Sequence, residues 1–146
     1  MKRKKSALLN KGFTLIETIV ALVIFSIAIL GILASIITAY KHSIRNLIRT
    51  EAIEVAREEL NKVKLMEFED ITPDKLNPKN LKRCNPNDPR ASIKRQIRNY
   101  QISFGRFFKV DLINQNLKKV TVIVCWKYKG KDYKYSATTL VNRGNE

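Results

Sequence analysis

The sequence has 146 residues, 45% of them apolar, and a formal net charge of +15 from 28 Lys and Arg against 13 Asp and Glu. A chain this short holds one modest domain, or a smaller domain with an appendage. Five glycines and four prolines without a repeat exclude collagen-like and low-complexity chains, and one histidine with two cysteines argues against a zinc site or a histidine-dependent triad.

The charge is unevenly spread. Residues 1–12 hold Lys2, Arg3, Lys4, Lys5 and Lys11 and no acid, whereas residues 13–40 hold one charge, Glu17. Residues 41–70 are nearly balanced at −1, and residues 71–146 carry +12. Thr18 to Tyr40 is a run of 23 residues without a charge. As a helix it would be about 35 Å long, enough for a hydrocarbon core of ~30 Å. It is apolar all round, so one amphipathic face does not explain it. The basic leader predicts a cytoplasmic N-terminus and an exported C-terminal part. A cleaved secretory signal would have a shorter apolar region and a small-residue cleavage site behind it.

Glu17 stands four residues into the stretch that begins at Phe13. A carboxylate at that depth is costly in lipid unless paired, and marks function by default. Phe13, Thr14, Val20 and Ala21, its neighbours at helical spacing, are neutral, so a cationic partner has to come from elsewhere. The alternative is a carboxylate that reaches back to the headgroups.

Lys11-Gly12-Phe13-Thr14-Leu15-Ile16-Glu17, ahead of a long apolar helix, resembles the class III signal of type IV pilins and pseudopilins. The resemblance implies that prepilin peptidase cuts after Gly12 and N-methylates Phe13, leaving 134 residues. It also implies that Glu17 pairs with the N-terminal amine of a neighbouring subunit, setting register as the helices pack into a filament. The implied partners are prepilin peptidase, other pilin or pseudopilin subunits, an inner-membrane assembly platform and the membrane itself. The implied location is the inner membrane, crossed once, with a periplasmic or surface filament after assembly.

From Lys41 to Met66 there is no Pro or Gly. Ile44, Leu47, Ile48, Ala52, Val55, Ala56, Leu60 and Val63 recur at the spacing of one helical face. The helix is therefore expected to continue as an amphipathic stalk over 41–69. No proline interrupts it before Pro73, which favours a straight helix and, within the resemblance, a minor subunit over the bulk one. All four prolines fall between Asp70 and Ser92, which marks 70–92 as a long loop. Beyond it the period becomes two. Val120, Val122, Val124, Trp126 and Tyr128 alternate with Thr121, Ile123, Cys125 and Lys127. A turn at Lys129-Gly130-Lys131 and a return strand through Val141 make a hairpin. Ser92 to Phe104 and Arg106 to Val110 read as earlier strands, with Gly105 at a turn or bulge. The expected fold is α+β: a long helix, transmembrane over 13–40, packed on an antiparallel sheet over 93–146. The strand Val120-Thr121-Val122-Ile123-Val124-Cys125-Trp126 and the ending Ala137-Thr138-Thr139-Leu140 are similar to PilV-like minor pilins and I-type pseudopilins of type II secretion.

Cys84 falls in the loop and Cys125 on a strand, on the face opposite Trp126. In an exported domain such a pair can close a loop of about 40 residues for roughly 3–4 kcal/mol. Two separate thiols, with Cys125 packed as a small hydrophobe, are the alternative. Lys94, Arg95, Arg98, Lys127, Lys129 and Lys131, among other bases, are interleaved with tyrosines, a composition that suits nucleic acid. A solvated basic face over an aromatic core is the plainer reading. No phosphate loop, paired carboxylates or metal-ligand cluster stands out, so neither a cofactor nor an enzymatic activity is expected. The resemblance thus implies a structural minor pilin or pseudopilin subunit. The alternatives are a DNA-binding subunit of a competence apparatus and a type II secretion pseudopilin.

Overall fold

The computed structural model describes residues 14–144. The chain divides into two compact units, Met1–His42 and Ser43–Glu146. Helix α1 runs from Leu15 to Lys64 without a break. The absence of proline and the strong helix formers along it account for that length. Lys62 and Lys64 in its last turn suit the negative end of the helix dipole. The helix ends by tightening: Leu65 and Met66 donate their N–H groups three residues back, to the carbonyls of Lys62 and Val63.

In the first unit, α1 carries apolar side chains on all sides and every described residue is exposed. Its hydroxyls are satisfied within the helix. Thr18, Ser26, Ser35 and Thr38 each donate to the carbonyl four residues back, at 2.8–3.0 Å. No described polar side chain between Thr18 and Thr38 needs water.

The second unit is α+β. The stalk part of α1 buries Ile44, Ile48, Ala52, Val55, Ala56, Leu60 and Val63. These pack with one face of a four-stranded antiparallel meander of order β1-β2-β3-β4. The strands are β1 (Ser92–Ile97), β2 (Tyr100–Asn114), β3 (Leu117–Tyr128) and β4 (Lys131–Asn142). The register pairs Phe104 with Trp126 and Trp126 with Tyr133. Alternation then brings Ile93, Ile97, Ile102, Phe104, Phe108, Val120, Val122, Val124, Trp126 and Tyr128 to the helix side. Phe104, fully buried, lies 5.8 Å from the Trp126 ring centroid.

Between helix and sheet come a 3₁₀ turn at Phe68–Asp70, the short helix α2 at Pro73–Leu76, and a loop. Pro73 stands at the first turn of α2, where its missing N–H costs nothing. Beyond the start of β1, the outer edge of β2 is met by a side chain. The Asn77 amide donates to the Phe108 carbonyl at 2.9 Å and accepts its N–H at 2.8 Å. The loop then crosses the other sheet face, where Ser103 Oγ donates to the Pro86 carbonyl at 2.7 Å.

Several boundaries differ from the sequence reading: the helix ends at Lys64 and not at 69, and the expected loop holds a short helix. Ser92 to Phe104 is not one strand: Ile97 pairs with Tyr100 across a tight turn at Arg98 and Asn99, and Arg98 takes a φ of 51°. Gly105 is neither a turn nor a bulge. It lies inside β2, paired with Ser92 and Cys125, while the register shift falls between Leu112 and Asn114. Its lack of a side chain answers a close approach instead. A Cβ there would stand 2.5 Å from the Asn85 carbonyl carbon and oxygen. The expected turn after β3 does hold, with Lys129 and Gly130 at φ of 49° and 76°. Left-handed φ at both central residues matches the twist of a two-residue hairpin. Gly105→Ala should therefore push the loop off the sheet and cost on the order of 1–3 kcal/mol, as other overpacked sites do. Thermal melting of the full chain in detergent checks this; a variant that melts with the unaltered chain refutes the close-approach role.

Candidate functional site

The chemistry-bearing residues of the first unit gather at the start of α1. Thr14 precedes the helix and Glu17 lies in its first turn. The Thr14 backbone N–H and hydroxyl both donate to Glu17 Oε2 at 3.3 Å, and the Glu17 N–H donates to Thr14 Oγ1 at 3.3 Å. This is a reciprocal capping box, Thr-x-x-Glu, which satisfies donors that the helix cannot satisfy itself. A negative charge there also suits the positive end of the helix dipole. The three-residue spacing of Thr14 and Glu17 was the sequence signal for this role, so Glu17 has a partner within its own chain as well as a charge that this partner leaves uncompensated. Gly12 and Phe13 lie outside the described residues.

Behind this cap the helix is bare. Leu15, Ile16, Leu22, Ile24, Phe25, Ile27 and Leu30 are each more than half exposed. The α1 helix is long and apolar enough to cross a membrane, and none of its most apolar window is buried. An apolar surface of this extent calls for lipid or for neighbouring apolar helices.

The candidate basic residues do not all lie on one exposed surface. Arg95 faces the helix: its Nη2 donates to Glu58 Oε2 at 2.7 Å and its Nε lies 3.6 Å from Glu51 Oε1. Arg106, on the same side of the sheet, binds Glu59, whose carboxylate is almost wholly buried and also accepts from Lys62 Nζ at 2.6 Å. Lys118 donates to the Phe68 and Ile71 carbonyls at 2.6 and 3.0 Å, with its ammonium 4.4 Å from the Phe68 ring centroid. These three hold the helix, the loop and the sheet together. Lys94, Arg98, Lys127, Lys129 and Lys131 are exposed. The aromatic residues are mostly spoken for. Trp126 and Tyr133 stack at 5.8 Å, and Tyr100 meets Tyr128 edge-on at 5.9 Å.

Cys84 and Cys125 are joined as a disulfide, with Cα atoms 6.1 Å apart. It clamps the loop to β3 on the face away from the helix, directly beside Gly105, the register partner of Cys125. Further along the loop, Asp88 accepts hydrogen bonds from the Arg90 side chain and backbone. Those bonds, the side-chain one first, hold the Asp88 carboxyl below the ordinary carboxylate range and push the Arg90 guanidinium up. Among the described residues, no group of three or more His, Cys, Asp or Glu is placed to hold a metal ion.

With this geometry in place, comparison adds a match. Residues 9–33 match the prokaryotic N-terminal methylation motif. No curated protein and no solved structure matches the chain. The N-terminal segment is thus a class III signal of the type IV pilin and pseudopilin kind. The motif implies processing by prepilin peptidase and assembly with other pilin subunits, and the bare apolar helix is consistent with membrane anchoring.

The disulfide closes a loop of 41 residues of sequence separation. Chain entropy alone assigns it about 4 kcal/mol. Reducing it should lower the melting temperature of the second unit and free the loop for proteolysis near Lys82 and Arg83. An unchanged melt and digestion pattern with and without reductant would show that the clamp contributes nothing.

Proposed function

We propose that this chain is a minor pilin or pseudopilin subunit that works by polymerisation and performs no catalysis. The observation that carries the proposal is a methylation motif over residues 9–33 that runs into a helix whose apolar surface nothing in the described chain covers. Prepilin peptidase cuts between Gly12 and Phe13 and methylates the new terminal amine of Phe13. The cut removes the hydrated basic leader and keeps the membrane helix, the reverse of ordinary signal processing. It also creates the cation that Glu17 lacks.

The capping box supports this role for Glu17. Both Thr14 donors converge on Oε2. The carboxylate is held in one orientation, and among the described residues both donors lie on Oε2, so Oε1 is the oxygen that would receive the amine of a neighbouring subunit. Such a pair in low dielectric adds little net stability but selects position strongly, which is what subunit register requires. The helix then exchanges lipid for the helices of its neighbours as it enters the filament. A role in priming or at the tip fits a subunit without a helix-kinking proline. The machine it serves is a type IV pilus or a related type II secretion filament.

The test is the intact mass of the full chain made together with prepilin peptidase. Loss of residues 1–12 and gain of one methyl on Phe13 are expected. Gly12→Val should leave the chain uncut. Glu17→Leu should be cut normally yet fail to enter filaments. A chain left whole, or cut C-terminal to Tyr40, overturns the proposal.

A further inference from the structure

The two hairpin turns at one end of the sheet bring basic residues together. Register puts the β1–β2 turn at Arg98–Asn99 and the β3–β4 turn at Lys129–Gly130. In a meander these turns share an end, and the contact between the Tyr100 and Tyr128 rings ties them. Arg98, Lys127, Lys129 and Lys131 are all exposed there, with Asp132 as the acid among them.

The stalk helix shows which end this is. Along β3, Lys118 meets Phe68 and Ile71. Arg106, level with Val124, meets Glu59, and Arg95, level with Ile102, two residues nearer the turn than the Phe104–Trp126 pair, meets Glu51 and Glu58. Helix numbers therefore fall as the turns are approached. Ile44 and Ile48, buried in the same core, lie at the turn end, and the exposed Arg45 and Arg49 beside them add to its charge. The chain thus enters the second unit at Ser43 at its basic end. The apolar run ends at Tyr40, only a few residues earlier in the sequence.

We propose that this basic end, built from Lys127, Lys129 and Lys131 with Arg45, Arg49 and Arg98, docks on anionic phospholipid headgroups while the subunit is held in the membrane. The proposal rests on the membrane-anchored reading above. Charge complementarity supplies the attraction, since an anionic surface draws nearby Lys and Arg. Tethering supplies the concentration, because a surface reached by a few residues of chain is encountered intramolecularly. Nucleic acid suits the site less well. The tyrosines there engage one another, so stacking faces for bases are scarce. Docking would hold the second unit against the bilayer before assembly, and would be released as the helix leaves the lipid.

The experiment uses the full chain in bilayer discs of phosphatidylcholine alone or mixed with phosphatidylglycerol. A membrane-impermeant amine reagent is followed by mass spectrometry at Lys127, Lys129 and Lys131, with the exposed Lys82 and Lys109 as references. In anionic discs the three tip lysines should label roughly fivefold more slowly than in neutral discs, the effect on the order of one basic residue at a charged surface. The difference should vanish at roughly 1 M salt, where the screening length is about 3 Å. In Lys129→Glu/Lys131→Glu, Lys127 should label in anionic discs as it does in neutral ones, while an unchanged melt shows that the variant folds. Equal labelling in both lipids overturns the proposal. Protection by single-stranded DNA in neutral discs, without protection by anionic lipid, overturns it and assigns the surface to nucleic acid. Cleavage at Gly12 is scored on the same chain made with the peptidase. A cut chain with unprotected lysines refutes the lipid docking alone, and an uncut chain refutes the subunit reading beneath it.

Discussion

The constraint on which the molecule depends is a helix that cannot be left in water. At roughly 25 cal/mol per Å² of exposed apolar surface, a helix clothed in Ile, Leu, Val and Phe on every side must find either lipid or other helices. The sequence adapts to both. Its hydroxyls from Thr18 to Thr38 turn back on their own backbone, so no polar group in that stretch resists either environment. Glu17 stands just before it, where the helix already needs an acceptor for its first N–H groups. A single carboxylate thus serves the local helix start and remains available to a cation outside the chain.

The same helix changes solvent without changing backbone. Beyond His42 the apolar positions shrink from the whole surface to one stripe, which the sheet covers. That stripe contains one acid, Glu59, and the facing sheet surface contains Arg106 and Arg95. Burying an ion pair gains little net free energy over an apolar packing of similar shape, because desolvation offsets attraction. Breaking it by removing one partner costs much more. The Glu59–Arg106 pair therefore acts chiefly on alignment: a helix slid by one turn would carry the buried Glu59 carboxylate away from Arg106 and leave it with Lys62 alone. Asn77 does the corresponding work at the outer edge of β2, and the Cys84–Cys125 bond does it on the other face of the sheet.

Much of this was legible in the sequence, and the exceptions are instructive. The change from all-round apolar to one-faced to alternating residues marks the two parts of α1 and the β3–β4 hairpin. The β1–β2 turn went unread because Arg98-Asn99 carries no Gly or Pro, so nothing local announced the positive φ at Arg98. Gly105 was seen but misassigned, since a glycine within a strand signals either a bulge or a close neighbour, and the neighbour is a loop about twenty residues away. Arg95 and Arg106 could have been placed. They share alternation with Ile93, Ile97, Phe104 and Phe108, and Glu59 shares helical spacing with Ala52, Val55, Ala56 and Val63. Charges on core positions of both elements read as partners. Counting them as a basic surface overlooked the period. Thr14-x-x-Glu17 was likewise a complete capping box in plain view.

The charge that remains exposed bears on how such a subunit is used. Most acids of the second unit lie between Glu51 and Asp70, and several are spent on the chain's own cations. Glu51 and Glu58 face Arg95, Glu59 faces Arg106 and Lys62, Glu69 binds Arg143, and Asp70 binds Lys75. What is left over is the excess of lysines on the strands and turns. A filament built only of this chain would set basic surface against basic surface at every subunit step, and the repulsion would grow with each addition. Surrounded by unlike subunits, the same excess meets no copy of itself and can attract an acidic neighbour or an anionic surface. The charge distribution thus favours a subunit used sparingly among others over one that forms the bulk of a filament, in keeping with the minor-subunit role proposed from the unkinked helix.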